Sequence, residues 1–202
     1  MLDRQLRKLV DAPLDRVAGL FVRAAVPADL VTVAGFLLGV AGCFAIASRH
    51  YLLGLSLILI NRVADGLDGS IARRTTPTDR GGFLDITLDM IFYSTVPLAF
   101  GFADPENWPA ASVLMLSFVG TGSSFLAYAV ISAKRGQVED ESRKKSFVYS
   151  VGFMEGGETL LFFALFCMLP SQFPQLAFTF AGLCAVTVLI RLVLGYREFP
   201  LR

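Results

Sequence analysis

The sequence predicts an all-α integral membrane protein, in which six transmembrane helices follow an N-terminal amphipathic surface helix. Hydrophobic residues make up 54% of the 202 residues and charged residues only 17%, whereas soluble domains contain about 25% charged residues. The mean hydropathy of +0.61 agrees with this. In addition, the apolar residues form runs long enough to cross a bilayer, and the basic residues cluster between alternate runs.

The N-terminal segment, residues 1–27, is predicted to be an amphipathic juxtamembrane helix. Apolar residues recur there at steps of three and four, with charged residues filling much of the rest: Leu6, Val10, Leu14, Val17 and Phe21. Such a helix lies on the cytoplasmic membrane surface or packs against the bundle. The two arrangements are compatible.

Six apolar runs follow, each close to the roughly 20 residues that a spanning helix needs. They cover residues 30–48, 51–72, 83–102, 108–133, 147–169 and 173–194. The second run is polar in its second half, and the third is polar in its first half. Because the loops are too short to join separate domains, residues 1–202 are expected to form one membrane domain with the six-span bundle over 30–194.

The basic residues predict the orientation of these spans, since Lys and Arg near span ends are enriched on the cytoplasmic side. With six spans, 15 of the 18 basic residues fall on one side. Arg49 alone falls on the other side, and Arg62 and Arg191 lie within spans. We therefore expect a bacterial-type inner or plasma membrane protein with both termini and the active site in the cytoplasm.

Four aspartates lie where the second and third spans approach their connecting loop. Asp65 and Asp68 are three residues apart and Asp85 and Asp89 four apart, so that each pair shares a helix face. An antiparallel pair of spans brings the four carboxylates together, where they repel one another unless cations neutralise them. Hard oxygen ligands favour Mg²⁺, Mn²⁺ or Ca²⁺. Two such ions would stabilise both oxygens of a phosphoryl displacement.

Glycines and arginines accompany these aspartates. Gly66 and Gly69 flank Asp68, and their missing side chains allow another helix or a phosphate to come close. Arg73 and Arg74 follow at the membrane edge and suit phosphate oxygens. The alternative is a purely structural pair of helices joined by Asp–Arg pairs and small residues.

This stretch resembles the signature of the CDP-alcohol phosphotransferase family, D-x-x-D-G-x-x-A-R, eight residues, then G-x-x-x-D-x-x-x-D. The matching positions are Asp65, Asp68, Gly69, Ala72, Arg73, Gly81, Asp85 and Asp89. Seven residues, 74–80, stand where the pattern has eight, so the shortening falls in the cytoplasmic loop, which we expect over residues 75–80. Six spans, an amphipathic N-terminal helix and cytoplasmic termini also match what the family is known for, and residues 26–39 resemble its usual entry to the first span.

The resemblance implies a transferase of phospholipid biosynthesis, which moves a substituted phosphate from a donor such as CDP-diacylglycerol to an alcohol and releases CMP. The four aspartates would hold two Mg²⁺ or Mn²⁺ ions, with Asp89 also acting as the general base. The expected contacts to the CDP moiety are Asp65, Gly69, Ala72, Arg73 and Gly81. Expected partners are the donor, a small alcohol acceptor, membrane lipid and a second copy of the chain, with no nucleic acid.

The sequence defines the acceptor site less sharply. Glu155 and Glu158 share a face of the fifth span; they bind an acceptor head group or pair with the arginines inside the spans. Lys134 and Arg135, at the end of the fourth span, bind an acceptor phosphate or act as positive-inside anchors. Asn61 and Arg62 lie about one turn before the aspartates on the second span and are expected to be their neighbours. The sequence assigns no role to either residue.

Three other functions compete with the transferase. A cation transporter would use the carboxylates as an ion path, but its charges are expected near the midplane, in broken helices of paired halves. A polyprenyl aromatic transferase has a longer chain and a different aspartate spacing. A structural subunit would not need four intact aspartates. The clustering of charge toward one side favours the transferase.

Overall fold

The computed structural model describes residues 2–135 and 156–199, with side chains from Pro13 onward. Every regular element in these ranges is helical. The elements are α1 (Leu2–Arg23), α2 (Ala28–Ala47), α3 (Tyr51–Arg74), α4 (Asp79–Ala103), α5 (Trp108–Lys134), α6 (Gly156–Met168) and α7 (Phe173–Glu198). Short 3₁₀ turns over Pro105–Asn107 and Pro170–Gln172 precede α5 and α7.

Four of the described helices are long and apolar enough to cross a membrane, namely α2, α4, α5 and α7 with the turns that precede the last two. Helix α3 coincides with the predicted second span, but the charges in its second half keep it out of this group. Helix α6 is a shorter apolar helix, and the predicted fifth span begins outside the described residues. An all-helical membrane protein is confirmed, and the count of six spans stays a prediction.

Helix α2 packs closely along α3 and α4. A Cβ atom on Gly35 would lie 2.8 Å from Cβ of Ala64, and one on Gly54 would lie 2.5 Å from Cγ1 of Ile46. Glycine at both positions lets the two backbones approach, and close packing of this kind is a main source of attraction between helices in lipid. The start of α2 is thereby placed beside the polar halves of α3 and α4.

A core of aromatic rings fixes the other side of α4. The fully buried phenylalanines are Phe92, Phe100, Phe163, Phe166, Phe173 and Phe180. Those from α4 meet those from α6 and α7, and the rings of Phe100 and Phe173 stack with their centroids 4.4 Å apart. Such pairs add to the stabilisation from burial alone. Helix α4, which contains two of the predicted metal ligands, is therefore held on both sides.

Helix α1 packs against α3. Ala18 is fully buried, and Leu14 and Phe21 lie beside it in the same apolar cluster. A Cβ atom on Gly66 would lie 2.7 Å from Cδ1 of Leu14, so the space left by this glycine is occupied by a helix. Val17 is 41% exposed, outside the packed face. Whether the outer face of α1 lies on a membrane surface stays a prediction.

Four residues, 75–78, connect α3 to α4. Thr78 caps α4, since its hydroxyl accepts a hydrogen bond from the backbone N–H of Gly81 at 3.0 Å. The loop predicted over 75–80 is therefore too long, because Asp79 and Arg80 form the first turn of α4. An acidic residue at that position interacts favourably with the helix dipole.

Candidate functional site

Three of the predicted metal ligands meet between α3 and α4. One carboxylate oxygen from each of Asp65, Asp85 and Asp89 lies within 4.8 Å of the other two. All three side chains are half-buried. Three carboxylate oxygens at this spacing form a ligand set that suits a hard divalent cation.

Asp68, the fourth predicted ligand, lies at the edge of this group. It is only 5% exposed, and its Oδ2 atom is buried with no hydrogen-bond partner among the described residues. A buried carboxylate oxygen without a partner is costly. A cation bound by the cluster would satisfy it, so the observed residues fit a metal site.

The four aspartates line a small polar pocket. Its other polar side chains come from Thr32 of α2 and from Asn61 and Arg62 of α3. The cavity volume is about 10 Å³, close to what one water-sized sphere needs. The pocket has room for a small ion and no room for a nucleotide.

A larger cavity of about 620 Å³ opens beside this polar pocket. Four predicted CDP contacts line it: Gly69, Ala72, Arg73 and Gly81. Asp68 and Asp85 line both the cavity and the polar pocket, so the two spaces adjoin. The volume is typical of sites for small organic ligands. The fold therefore brings the two halves of the signature around one space.

The two consecutive arginines at the end of α3 point in different directions. Arg73 lines the larger cavity, and its NH2 atom donates to Oγ of Ser70 at 3.0 Å. Arg74 instead lies toward α1, with its Nε atom 3.9 Å from Oδ1 of Asp15. Of these two arginines, Arg73 is thus the one that can contact phosphate oxygens in the cavity.

Asp29, in the first turn of α2, is a cavity residue that the sequence interpretation missed. Its Oδ2 atom lies 3.2 Å from Nε of Arg80. A Cβ atom on Gly81 would lie 3.1 Å from its Oδ1, so glycine there allows α2 to approach α4. The only signal in the sequence was an acidic residue at the start of an apolar run.

Arg62 contacts the aspartates directly. Its NH2 atom donates to Oδ1 of Asp89 at 2.8 Å, and its NH1 atom lies 3.6 Å from Oδ2 of Asp65. The side chain is 14% exposed. The sequence contained two indications of this contact. Arg62 is an arginine inside a predicted span, and it lies three residues before Asp65, on the same helix face.

The residues predicted for the acceptor lie elsewhere, as far as the structure describes them. Lys134 is exposed at the end of α5, and NH1 of Arg135 contacts a backbone carbonyl at the end of α7 at 3.5 Å. Glu158 is half-buried in the first turn of α6. Glu155 lies outside the described residues. An acceptor site formed by these residues stays a prediction.

A second cavity, of about 410 Å³, lies among α4, α5, α6 and α7. It is mainly apolar, and its polar lining residues are Ser94, Thr121, Ser123, Thr159 and Arg191. Tyr93 also lines it, and the Tyr93 hydroxyl accepts a hydrogen bond from NH1 of Arg62 at 3.1 Å. This tyrosine therefore stands between the second cavity and the polar pocket.

Comparison with known proteins adds the following. A family model described as CDP-alcohol phosphatidyltransferase matches residues 25–190. The chain is 43% identical over 197 residues to the inner membrane protein YnjF of Escherichia coli (strain K12), covering 97% of this chain and 96% of that protein. It is 39% identical over 87 residues to the archaetidylinositol phosphate synthase of Methanothermobacter thermautotrophicus, covering 43% and 41%.

Among the solved structures that share the fold are two at similar TM-scores. Both are of the Mycobacterium tuberculosis phosphatidylinositol phosphate synthase PgsA1, one with CDP-DAG bound and one in complex with manganese and citrate. The TM-scores are 0.65 and 0.64, each at 20% sequence identity and each covering 91% of this chain. They cover 93% and 88% of the matched chains, respectively.

Proposed function

The chain belongs to the CDP-alcohol phosphatidyltransferase family, and from that premise we propose a specific division of work among its residues. The protein is a membrane transferase of phospholipid biosynthesis that uses a CDP-alcohol donor. Membership of this family excludes the three alternative functions, namely a cation transporter, a polyprenyl aromatic transferase and a structural subunit. The observation that supports the division is the adjacency of the carboxylate cluster to a cavity lined by the signature residues.

The metal site in this proposal consists of Asp65, Asp68, Asp85 and Asp89. Three of these side chains converge, and the fourth has a buried oxygen without a partner among the described residues. The ions expected are two Mg²⁺ or Mn²⁺, and manganese is present in one structure of PgsA1. When bound, such ions neutralise charge on the pyrophosphate oxygens. The rate of CMP release with each metal would show whether the protein prefers Mg²⁺ or Mn²⁺.

The donor site in this proposal is the larger cavity. Gly69, Ala72 and Gly81 present backbone and small side chains to the CDP moiety, and Arg73 faces its phosphate oxygens. PgsA1 has CDP-DAG bound in one of its structures, and we expect CDP-diacylglycerol to be the donor here. The acyl chains of such a donor would remain in the lipid, since the cavity is formed by helix ends.

The acceptor hydroxyl attacks the β-phosphorus of the donor, forming a new P–O bond while the bond to CMP breaks. We assign the removal of the hydroxyl proton to Asp89, which lies one turn farther than Asp85 from the start of α4 and belongs to the carboxylate cluster. CMP leaves with the electron pair of the broken bond. The product is the phosphatidyl ester of the alcohol, or the corresponding ester when the donor is another CDP-alcohol.

The acceptor is proposed from the relatives, since the synthases that resemble this chain are named for inositol phosphate products. A phosphorylated polyol is therefore the first acceptor to test, with Lys134, Arg135, Glu155 and Glu158 as the candidate contacts.

For the whole chain we propose one membrane domain over residues 1–202. It would contain six spans over 30–194, a surface helix over 1–27, cytoplasmic termini, a cytoplasmic active site and a homodimeric assembly. The runs of basic residues support this orientation.

The test is release of CMP by protein purified in detergent, supplied with CDP-diacylglycerol, Mg²⁺ or Mn²⁺ and a panel of labelled alcohols that includes inositol phosphate. We expect CMP and one labelled lipid to form together, and we expect EDTA to stop both. If no CDP-linked donor is consumed under any of these conditions, the assignment of the site is wrong. If the donor is consumed but no phosphorylated polyol is converted into a labelled lipid, only the proposal that the acceptor is a phosphorylated polyol would be excluded.

Asp85→Asn tests the metal site separately from the reaction. The substitution removes one of the three clustered carboxylates without changing the size of the side chain. We expect Mn²⁺ binding to weaken strongly and turnover to be lost. Unchanged Mn²⁺ binding in this variant would contradict the proposed metal ligands.

A further inference from the structure

Every nitrogen of the Arg62 guanidinium has a different acceptor. NH2 donates to Oδ1 of Asp89 at 2.8 Å, Nε donates to Oδ1 of Asn61 at 2.8 Å, and NH1 donates to the Tyr93 hydroxyl at 3.1 Å. A guanidinium is planar and presents its donors in a rigid fork. Three acceptors in three directions therefore define a single orientation for it.

The groups that fix Arg62 are themselves fixed. Asn61 is 3% exposed, and its Nδ2 atom donates to the carbonyl of Gly35 at 2.8 Å, so this amide is tied to α2. The guanidinium carbon lies 4.7 Å from the ring centroid of Phe92 and 5.3 Å from that of Tyr93, within range of cation–π attraction. Groups on α2, α3 and α4 thus determine where the guanidinium lies.

We propose that Arg62 is a positioning residue for Asp89. By binding Oδ1 of this carboxylate, Arg62 fixes the orientation of the Asp89 side chain within the cluster that it forms with Asp65 and Asp85. The inference rests on the proposed function, because it requires that the aspartates bind a cation. Arg62 lies outside the signature motif, and its role follows from its contacts alone.

Positioning and simple charge compensation predict opposite effects on metal binding. A fixed positive charge beside the carboxylates opposes the approach of a cation, so removing that charge would by itself tighten metal binding. Loss of a group that orients a ligating carboxylate instead weakens metal binding, typically by about 10–100-fold. The sign of the change in affinity therefore separates the two explanations.

The experiment is a titration of the donor-free protein with Mn²⁺, in which electron paramagnetic resonance reports the free ion. We expect the Kd for Mn²⁺ to rise about tenfold in both Arg62→Gln and Arg62→Lys, since lysine keeps the charge but lacks the fork. An affinity in Arg62→Gln that is tighter than that of the unmodified protein, or within about twofold of it, overturns the proposal.

Arg49→Gln is the matched control. Nε of Arg49 donates to the carbonyl of Ala103 at 2.9 Å, at the opposite end of α4 from the aspartates. This variant also loses a hydrogen bond between an arginine and another element, but away from the site. Its Kd for Mn²⁺ is expected to equal that of the unmodified protein, and an equal weakening here would show that the effect of Arg62 is one of general stability.

Kinetics provide a second measurement. At saturating Mn²⁺, Arg62→Lys should lower kcat by about tenfold or more while changing the donor KM by less than about threefold, because Asp89 is misoriented and the donor cavity is intact. A wild-type kcat in Arg62→Lys would show that the charge alone is sufficient, and would overturn the proposal.

Tyr93→Phe covers the case in which the arginine variants do not fold. It removes only the hydroxyl that accepts from NH1 of Arg62, and we expect a Kd for Mn²⁺ about threefold higher, in the same direction as for Arg62. An unchanged Kd would count against the proposal.

The metal site and the role of Arg62 can fail independently. Unmodified protein that binds no Mn²⁺ would refute the metal site itself. Mn²⁺ binding that is lost in Asp85→Asn but retained in Arg62→Gln would refute only the role of Arg62.

Discussion

Single residues of the same type have different surroundings in this molecule, and this difference makes sharp comparisons possible. Asp65, Asp85 and Asp89 share one cluster, and Asp68 lines the adjoining cavity. Asp79 is exposed in the first turn of α4 and lies in neither space. The carboxylates of one short stretch of chain thus divide into a group that lines the polar pocket and an exposed position in the first turn of α4.

Asp89→Asn is expected to reduce turnover by on the order of 10³-fold, because in the proposed mechanism the variant loses both a metal ligand and the group that accepts the hydroxyl proton. The measurement is CMP release from CDP-diacylglycerol in the presence of acceptor and Mg²⁺. Asp79→Asn, on the same helix, serves as the control and should retain the rate of the unmodified protein. An Asp89→Asn enzyme with that rate would rule out the base assignment.

Arg73→Gln is expected to raise the KM for the donor about tenfold, the effect of losing roughly 1.4 kcal/mol from charge-assisted hydrogen bonds to phosphate. Arg73 lines the cavity, whereas its neighbour Arg74 lies toward Asp15 of α1. Arg74→Gln is therefore a control of identical chemistry one position away. Equal changes in KM for the two variants would mean that neither arginine recognises the donor specifically.

At the scale of whole elements, glycines determine how closely the helices can pack. Gly66 stands inside the signature, yet its missing side chain admits Leu14 of α1. Gly35 admits Ala64 of α3, and the carbonyl of Gly35 also accepts the hydrogen bond from Asn61. The contact between α2 and α3 therefore forms one wall of the polar pocket as well as stabilising the bundle.

Gly35→Ala should destabilise the protein by about 1–3 kcal/mol, because the added methyl would lie 2.8 Å from Cβ of Ala64 and must force the two helices apart. Thermal unfolding in detergent measures the effect. A Cβ atom on Gly182 would have nothing within 4 Å, so Gly182→Ala should unfold at or above the temperature of the unmodified protein. Equal unfolding temperatures for the two variants would show that α2 and α3 pack less tightly than described.

At the scale of the whole molecule, the cluster, the cavity and the ends of several helices share one end of the bundle. The linker 75–78, the first turn of α2 and the end of α3 all border the same cavity. The aromatic core lies along α4 away from that end. In the proposed topology this end of the bundle lies at the membrane surface, where a lipid-linked donor would approach from the bilayer and a water-soluble alcohol from the aqueous phase.

The proposed topology predicts the side on which each connection lies. A reporter enzyme that is active only in the periplasm should be active when fused after His50 or Asp104 and inactive when fused within 75–78. A fluorescent protein that matures only in the cytoplasm should be bright at the C-terminus. Periplasmic activity from a fusion within 75–78 would place the active site on the wrong side and refute the proposed orientation.

Much of this protein was predictable from its sequence because the determining physics is local. Hydropathy fixes which segments leave water, helical periodicity places Asp65 with Asp68 and Asp85 with Asp89, and the spacing of eight signature positions identifies the family. The helix limits were accurate to within a few residues wherever the structure describes them. The loop over 75–80 is two residues shorter than predicted, because Thr78 caps α4.

The tertiary structure decided what depends on helix rotation and on contacts between distant segments. Neither hydropathy nor spacing shows that Arg73 faces the cavity while Arg74 faces α1, that Asp29 reaches Gly81, or that Gly66 accommodates a helix. The role proposed for Arg62 likewise could not be inferred from hydropathy or spacing. Its three acceptors come from two helices, and only the packing of α2, α3 and α4 brings them to one guanidinium.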